Sequence, residues 1–218
     1  MGKDPQDLPG LDPFRCSRRN FIIMGHRAVS DGSIFLNDLC GASGRWDGLA
    51  RALSSGLFLS HDMRRDTSIH LLLLGPPDPP KVISIDGARV KYLNPDERAS
   101  AALMRKNLRT KLGEDAGTTL RTSPGIHLTR GGLETILDRI GGPVFLLHES
   151  GEDLTDCMVN GGIGEGPWNF FLSDDMEFTD KELSLLRSRA SGVLSVSPLS
   201  LHTYQAMILV HNALDRFG

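Results

Sequence analysis

Apolar and polar positions change period from segment to segment along the chain, and those changes mark out its elements. "NFIIMG", Asn20 to Gly25, is an apolar run of the length of a buried strand. After a polar, glycine-bearing loop, Trp46, Leu49, Ala50, Leu53 and Leu57 recur at the three- and four-residue spacing of one helix face. "SIHLLLLG" is a second strand, stopped by "GPPDPP", whose prolines cannot donate to a ladder and hold a stiff extended loop. "KVISIDGARVKYL" reads as a hairpin, because Asp86-Gly87 between alternating apolar residues suits a type I′ turn. "NPDERASAALMRKNLRTKLG" predicts a helix with Asn94 as N-cap, Pro95 at the first helical position, basic residues late and Gly113 as C-cap. "EDAGTTLRTSPG" reads as a connector.

The second half repeats the rhythm. "GPVFLLHE" is a strand, a glycine-rich stretch follows, and "WNFFLSDD" is another strand. A Thr179 to Glu182 capping box then opens a helix, and "VLSVS" precedes a last, largely apolar helix bearing Tyr204, Met207, Ile208, Leu209, Val210, Ala213 and Leu214. Strands alternating with helices predict an α/β fold with a mainly parallel sheet, and such sheets bind ligands at the carboxyl ends of their strands. Three of these ends, "LLHESGED", "FLSDD" and "SVSPLSL", turn polar directly after an apolar strand, as a pocket walled by backbone amides and carbonyls would. A terminal helix apolar on most sides needs a cover.

Composition narrows the picture without deciding it. A chain of 218 residues with net charge −3 gives no overall electrostatic case for nucleic acid, so such binding would rest on a local basic patch. Cys16, Cys40 and Cys157 are far apart and form no C-x-x-C pair, which argues against a disulfide framework or zinc site and fits a reducing cytoplasm. No run reaches the roughly 18 apolar residues of a membrane span, and no metal constellation emerges. Residues 1–19, proline-bearing and without periodicity, are expected to be a mobile N-terminal extension.

The strand ends above, together with "FLNDL", "LFLSHDMRRD", "LLGPPDPP" and "KYLNPDER", resemble the archaeal tRNA (pseudouridine(54)-N1)-methyltransferase family, TrmY, of the SPOUT class. The resemblance implies one domain over residues 20–218 with a C-terminal trefoil knot in about 143–218, S-adenosylmethionine as cofactor, tRNA as substrate and a homodimer packing the knot helices. It places cofactor contacts on Leu147, Ser173, Val196, Ser197, Pro198, Leu199, Ser200, Leu201 and Ala206. Two positions depart from the family pattern: Ser173 stands where glycine is expected and Ala206 where cysteine is expected. The implied activity is methylation of N1 of a T-loop pseudouridine. The alternatives are a knot protein that binds RNA without catalysis and a SPOUT methyltransferase acting on another RNA.

Methylation at N1 asks for a proton acceptor and a cation to offset charge on the ring. The sharpest polar cluster is "SHDMRRD", from which Asp62, Arg64 and Arg65 are the catalytic candidates. Asn37, Arg45, His61, Arg64 and Arg65 are the RNA-binding candidates, although paired charges of this kind also form solvated surface networks. Trp46 falls on the core face of its helix, and His148 and His202 read first as structural. "GGIGEG" precedes "PWNFF" where a dinucleotide loop would open a helix, so it reads as a flexible connection.

Overall fold

The computed structural model describes residues 12–218. A single 3-10 turn, Pro13–Arg15, leads into β1 (Arg19–Gly25), α1 (Trp46–Leu57), β2 (Thr67–Leu73), β3 (Lys81–Asp86), α2 (Glu97–Leu108), β4 (Thr119–Ser123), β5 (Ile126–Arg130) and α3 (Leu133–Arg139). The chain continues through β6 (Val144–Asp153), α4 (Leu154–Val159), β7 (Trp168–Ser173), α5 (Asp180–Arg189), β8 (Gly192–Ser195) and α6 (Thr203–Phe217). The strands form one eight-stranded sheet in the order β4-β5-β3-β2-β1-β7-β6-β8. From β2 to β8 neighbouring strands run parallel, and β3, β4 and β5 add an antiparallel edge. The expected α/β, mainly parallel architecture is the observed one.

Central strands with helices on both faces have no solvent side, so their sequences are continuous apolar runs. All residues of β1 and β2 are buried accordingly. On one face the core joins Phe21, Ile23 and Phe170 of the sheet to Trp46, Leu49 and Leu53 of α1, Met104 of α2 and Met207, Val210 and Leu214 of α6. On the other, Ile22, Leu72 and Phe171 meet Phe14, Ile136 of α3 and Leu186 of α5. Trp46 belongs to the first core, wholly buried, with its indole N–H donated to the Val29 carbonyl at 3.0 Å.

Several boundaries differ from the sequence reading for identifiable reasons. The Asp86-Gly87 turn does not make a hairpin. Gly87 N–H bonds the Thr67 carbonyl, and the N–H groups of Arg89 and Val90 both reach the Asp86 carbonyl. The turn thereby drops Val90 into the core, and β5 takes the place beside β3. A true hairpin, β4 with β5, lies partly in the stretch read as a connector, across a Ser123-Pro124-Gly125 turn. The N-cap of α2 is Asp96, whose carboxylate accepts from Ala99 N–H, while Asn94 orders the turn before it through Asp96 N–H. That helix also ends earlier, at Arg109 rather than at Gly113. Of the segment expected to be mobile, residues 1–11 lie outside the described residues; Phe14 is buried and Asp12 is ion-paired to Arg139, so the described part docks on the domain.

Candidate cofactor and RNA site

β6, β7, β8 and β1 all point their carboxyl ends the same way, and a cavity of about 640 Å³ opens there. Three loops wall it. The first is made inside β6: Leu147 and Glu152 both pair with Leu194, so His148 to Gly151 loop out of the ladder toward the cavity. A side chain on Gly151 would meet the Leu194 backbone at 2.6 Å, which reserves this position for glycine. The second loop leaves β7 through Ser173, Asp174 and Asp175, and the third runs from Val196 to His202.

Of the residues assigned to cofactor by resemblance, Leu147, Ser173, Val196, Ser197, Leu199, Ser200, Leu201 and Ala206 line this cavity together. Pro198 lies in the same loop but does not line it. The Ser173 hydroxyl turns away into its own loop, donating to the Met176 carbonyl, and the Thr203 hydroxyl donates to the Ser173 carbonyl. The serine in place of glycine is thus accommodated by a local hydrogen bond. Ser197 and Ser195 hydroxyls brace the third loop, whereas the amides of Ser200 and Leu201 have no partner among the described residues.

The site also contains residues that motif reasoning passes over. His26, first after β1, donates its backbone N–H to Asp174 Oδ2 at 2.8 Å. Its ring nitrogens lie 2.8 Å from Asp174 Oδ1 and 3.2 Å from Glu182 Oε2. The ring is buried, and the hydrogen bond to Asp174 outweighs burial, so the imidazole pKa is raised above 6.5. Glu182 caps the head of α5, so one imidazole ties β1, the β7 loop and α5 into the cavity wall. Asp175 accepts from Arg27 and, at 3.1 Å, from Arg45, whose Nε also holds Asp47 at 3.0 Å. The sequence signal for Asp174 and Asp175 is charge placed immediately after an apolar strand.

Asn37 and Arg45 sit on the 26–45 loop at this same end of the sheet, Asn37 exposed and Arg45 at a left-handed φ of 69° where α1 begins. His148 and His202, read first as structural, both line the cavity. Asp62, His61, Arg64 and Arg65 do not join them. They occupy the turn between α1 and the amino end of β2, a whole strand length away, roughly 20 Å for seven residues. There Arg64 forks onto Asp215 of α6 at 2.7 and 2.9 Å, and Asp215 also takes the buried Arg19 at 2.6 Å. Asp62 accepts from Met63 N–H and Arg65, which lower its pKa and hold it ionised. Within one chain these groups are fastened to each other and stand apart from the cavity. "GGIGEG" likewise lies ahead of the amino end of β7, where the Gly164 carbonyl accepts the Trp168 indole N–H.

Residues 18–218 match the family model described as "Putative SAM-dependent RNA methyltransferase". A tRNA (pseudouridine(54)-N(1))-methyltransferase of Methanococcoides burtonii is 40% identical over 203 residues, covering 91% of this chain and 96% of that protein. Proteins of the same name from Methanosarcina mazei and Haloarcula marismortui are 42% and 38% identical, over 91% and 92% of this chain and 91% and 98% of their own lengths. The crystal structure of Archaeoglobus fulgidus Nep1 bound to S-adenosylhomocysteine superposes with a TM-score of 0.61 at 15% identity, covering 92% of this chain and 98% of that one, a likeness of fold. Identity of this extent, along nearly the whole of each relative, places the chain in the archaeal tRNA (pseudouridine(54)-N(1))-methyltransferase family.

Proposed function

We propose that this protein transfers a methyl group from S-adenosylmethionine to N1 of pseudouridine 54 in tRNA, as the names of its relatives state for them. The observation that carries the reading is the convergence of the three strand-end loops on one cavity. At about 640 Å³ it is of small-molecule size, with Leu147, Leu172, Leu194 and Ala206 offering apolar walls and the amides of Ser200 and Leu201 offering donors. These residues fit the cofactor, which when bound would supply an electrophilic methyl on a sulfonium.

Pseudouridine is joined to ribose through carbon, so its N1 keeps a proton that must leave as the nitrogen attacks. Asp174 is committed to His26, and Asp175 to Arg27 and Arg45. Glu149 and Glu177 line the cavity with no ion pair among the described residues and are the acceptors this geometry leaves available. Arg27 and Arg45, held on Asp175 of the cavity wall, are the cations nearest to hand to offset charge developing on the ring carbonyls.

The β7-β6-β8 arrangement, with β6 looping out against β8, supports a trefoil knot of the SPOUT kind. Ile208 and Leu209, 50% and 37% exposed on α6, support a homodimer in which a second subunit covers that face. Free thiols at Cys16, Cys40 and Cys157 suit the cytoplasm. The test compares tRNA transcripts carrying uridine or pseudouridine at the target, with the product mapped by nucleoside mass spectrometry. Methyl on the pseudouridine transcript alone is expected. Efficient methylation of the uridine transcript at that position would overturn the reading, because uridine N1 is occupied by its sugar.

A further inference from the structure

Most arginines of this protein are committed to carboxylates. Arg19 holds Asp66 and Asp215, Arg45 holds Asp47 and Asp175, Arg51 holds Glu97, Arg64 holds Asp215, Arg130 holds Asp78 and Arg139 holds Asp12. A paired guanidinium adds little field at a distance and frees few counterions when a polyanion arrives. The last turn of α2 and the residues after it are different. Arg105, Lys106, Arg109 and Lys111 fall within seven residues, and none has an ion pair among the described residues. Arg105 is half-buried and the other three are exposed. The following carboxylates do not close on them: Glu114 acts on Arg130, which also donates to the Gly113 carbonyl.

The place of this cluster gives it meaning. Arg105 reaches the Ile34 carbonyl at 3.5 Å, and the Arg109 stem lies across Gly32, where an added Cβ would meet it at 2.2 Å. Both residues therefore back the 26–45 loop, which leaves the carboxyl end of β1 where the cavity opens. The same loop exposes Phe35, 52% accessible, next to Ile34. Cations without carboxylate partners, beside a loop that bares an aromatic ring, are the two components of RNA contact, phosphate attraction and base stacking. Basic residues also suit the carbonyl end of a helix, but that effect is confined to the last turn, and Lys111 lies beyond it.

We propose that the C-terminal end of α2, through Arg105, Lys106, Arg109 and Lys111 with Phe35 beside them, is the surface that grips the tRNA backbone while the target base enters the cavity. This rests on the tRNA methyltransferase reading and adds to it where the substrate lies. The RNA cations are then a set apart from Arg64 and Arg65, which Asp215 and Asp62 neutralise.

The experiment measures binding of a pseudouridine-containing tRNA by fluorescence anisotropy across a salt series. It compares wild type with a fourfold charge-reversal variant, Arg105→Glu, Lys106→Glu, Arg109→Glu and Lys111→Glu, and with the milder Arg109→Gln, Lys111→Gln pair. Removing one phosphate partner takes about 0.7–0.9 from the slope of log affinity against log salt, so the fourfold variant should drop by about 3, and the pair by about 1.5. Affinity at low salt should fall at least about tenfold in the fourfold variant while calorimetric affinity for S-adenosylhomocysteine stays unchanged. An unaltered slope in folded variants overturns the surface alone, since wild-type methylation of the pseudouridine transcript judges the activity separately. Wild-type protein that does not bind tRNA overturns both.

Discussion

The two ends of the parallel sheet handle charge in opposite ways. At the amino end, charges are gathered to close on each other: Arg19, with a side chain only 9% exposed, lies 3.0 Å from Asp66 and 2.6 Å from Asp215, and Arg64 completes the fork. His211 sits among them neutral, its pKa driven down to about 3 first by burial and then by the two guanidiniums, with the Gly56 carbonyl accepting at one ring nitrogen. Arg19, Arg64 and Asp215 are taken up with one another, and the cluster pins α6 to β1 and β2. At the carboxyl end, charges are drawn into loops that surround an open cavity, with His26 clasping Asp174 and Glu182 from behind. Polar residues that look alike in sequence are a fastening at one end and a binding wall at the other. What separates them is the direction in which the strands run.

The largest break in this comparison should come from filling the cavity. Ser200→Trp puts an indole into the loop whose amides face the space, and cofactor affinity should fall by about a hundredfold or more with the thermal transition nearly unmoved. Calorimetry with S-adenosylhomocysteine reads it; unchanged affinity in a folded variant would remove this loop from the site. A smaller effect distinguishes the ends by pH. Asp215 has its pKa lowered to about 2, chiefly by Arg64, so its stabilisation is present above about pH 4 and is lost as pH falls toward 2. His211 adds a loss that begins nearer pH 6.5, because the unfolded chain takes up its proton first. His26 has the opposite sign: its pKa is raised, so its contribution is complete below pH 6.5 and is lost as pH climbs through the folded value. Melting temperatures against pH should show Asp215→Asn destabilised by about 1–2 kcal/mol at neutral pH, with the difference vanishing in acid. His26→Gln should converge on wild type in alkali. Parallel curves for wild type and His26→Gln above neutrality would mean that the clasp is not charged.

The sheet and its helices are legible because each is announced by a single local signal. Continuous apolar runs mark β1, β2 and β7, three- and four-residue spacing marks α1, and Thr179 with Glu182 marks the capping box of α5. Asp86-Gly87 misleads because turn chemistry says that the chain turns without saying where it goes, and here the buried place beside β3 belongs to β5. β4, with residues half-buried or exposed at the edge, has no apolar run to show. The cofactor positions come through the family resemblance, since a wall of amides has little side-chain signature. His26 escapes a reading of the sequence because its partners are 148 and 156 residues away, and nothing local marks such a pairing. Asp62, Arg64 and Arg65 stand out for the density of their charges, which cannot say which end of a strand they occupy.

The smallest expected effect bears most directly on those three residues. Arg65 is 53% exposed and its partner Asp62 67%, a pair in water across one helical turn's spacing, and such pairs contribute about 0–1 kcal/mol. Arg65 gives one further hydrogen bond, to the Gly87 carbonyl at 3.1 Å. Arg65→Ala should therefore cost about 0.5 kcal/mol, leave cofactor affinity as it was and shift the tRNA salt slope by less than one phosphate's worth. Arg64→Ala should cost more stability, because Arg64 is 15% exposed and its loss strips Asp215 of a bidentate partner, but it too should spare the cavity. The decisive measurement is kcat for Arg65→Ala at saturating cofactor and tRNA, beside its melting temperature. A tenfold loss of kcat in a protein as stable as wild type would mean that a second subunit carries the amino end of its sheet to the mouth of this cavity. The two ends would then be parts of one active site divided between chains, and the contrast drawn within a single chain would not describe the working enzyme.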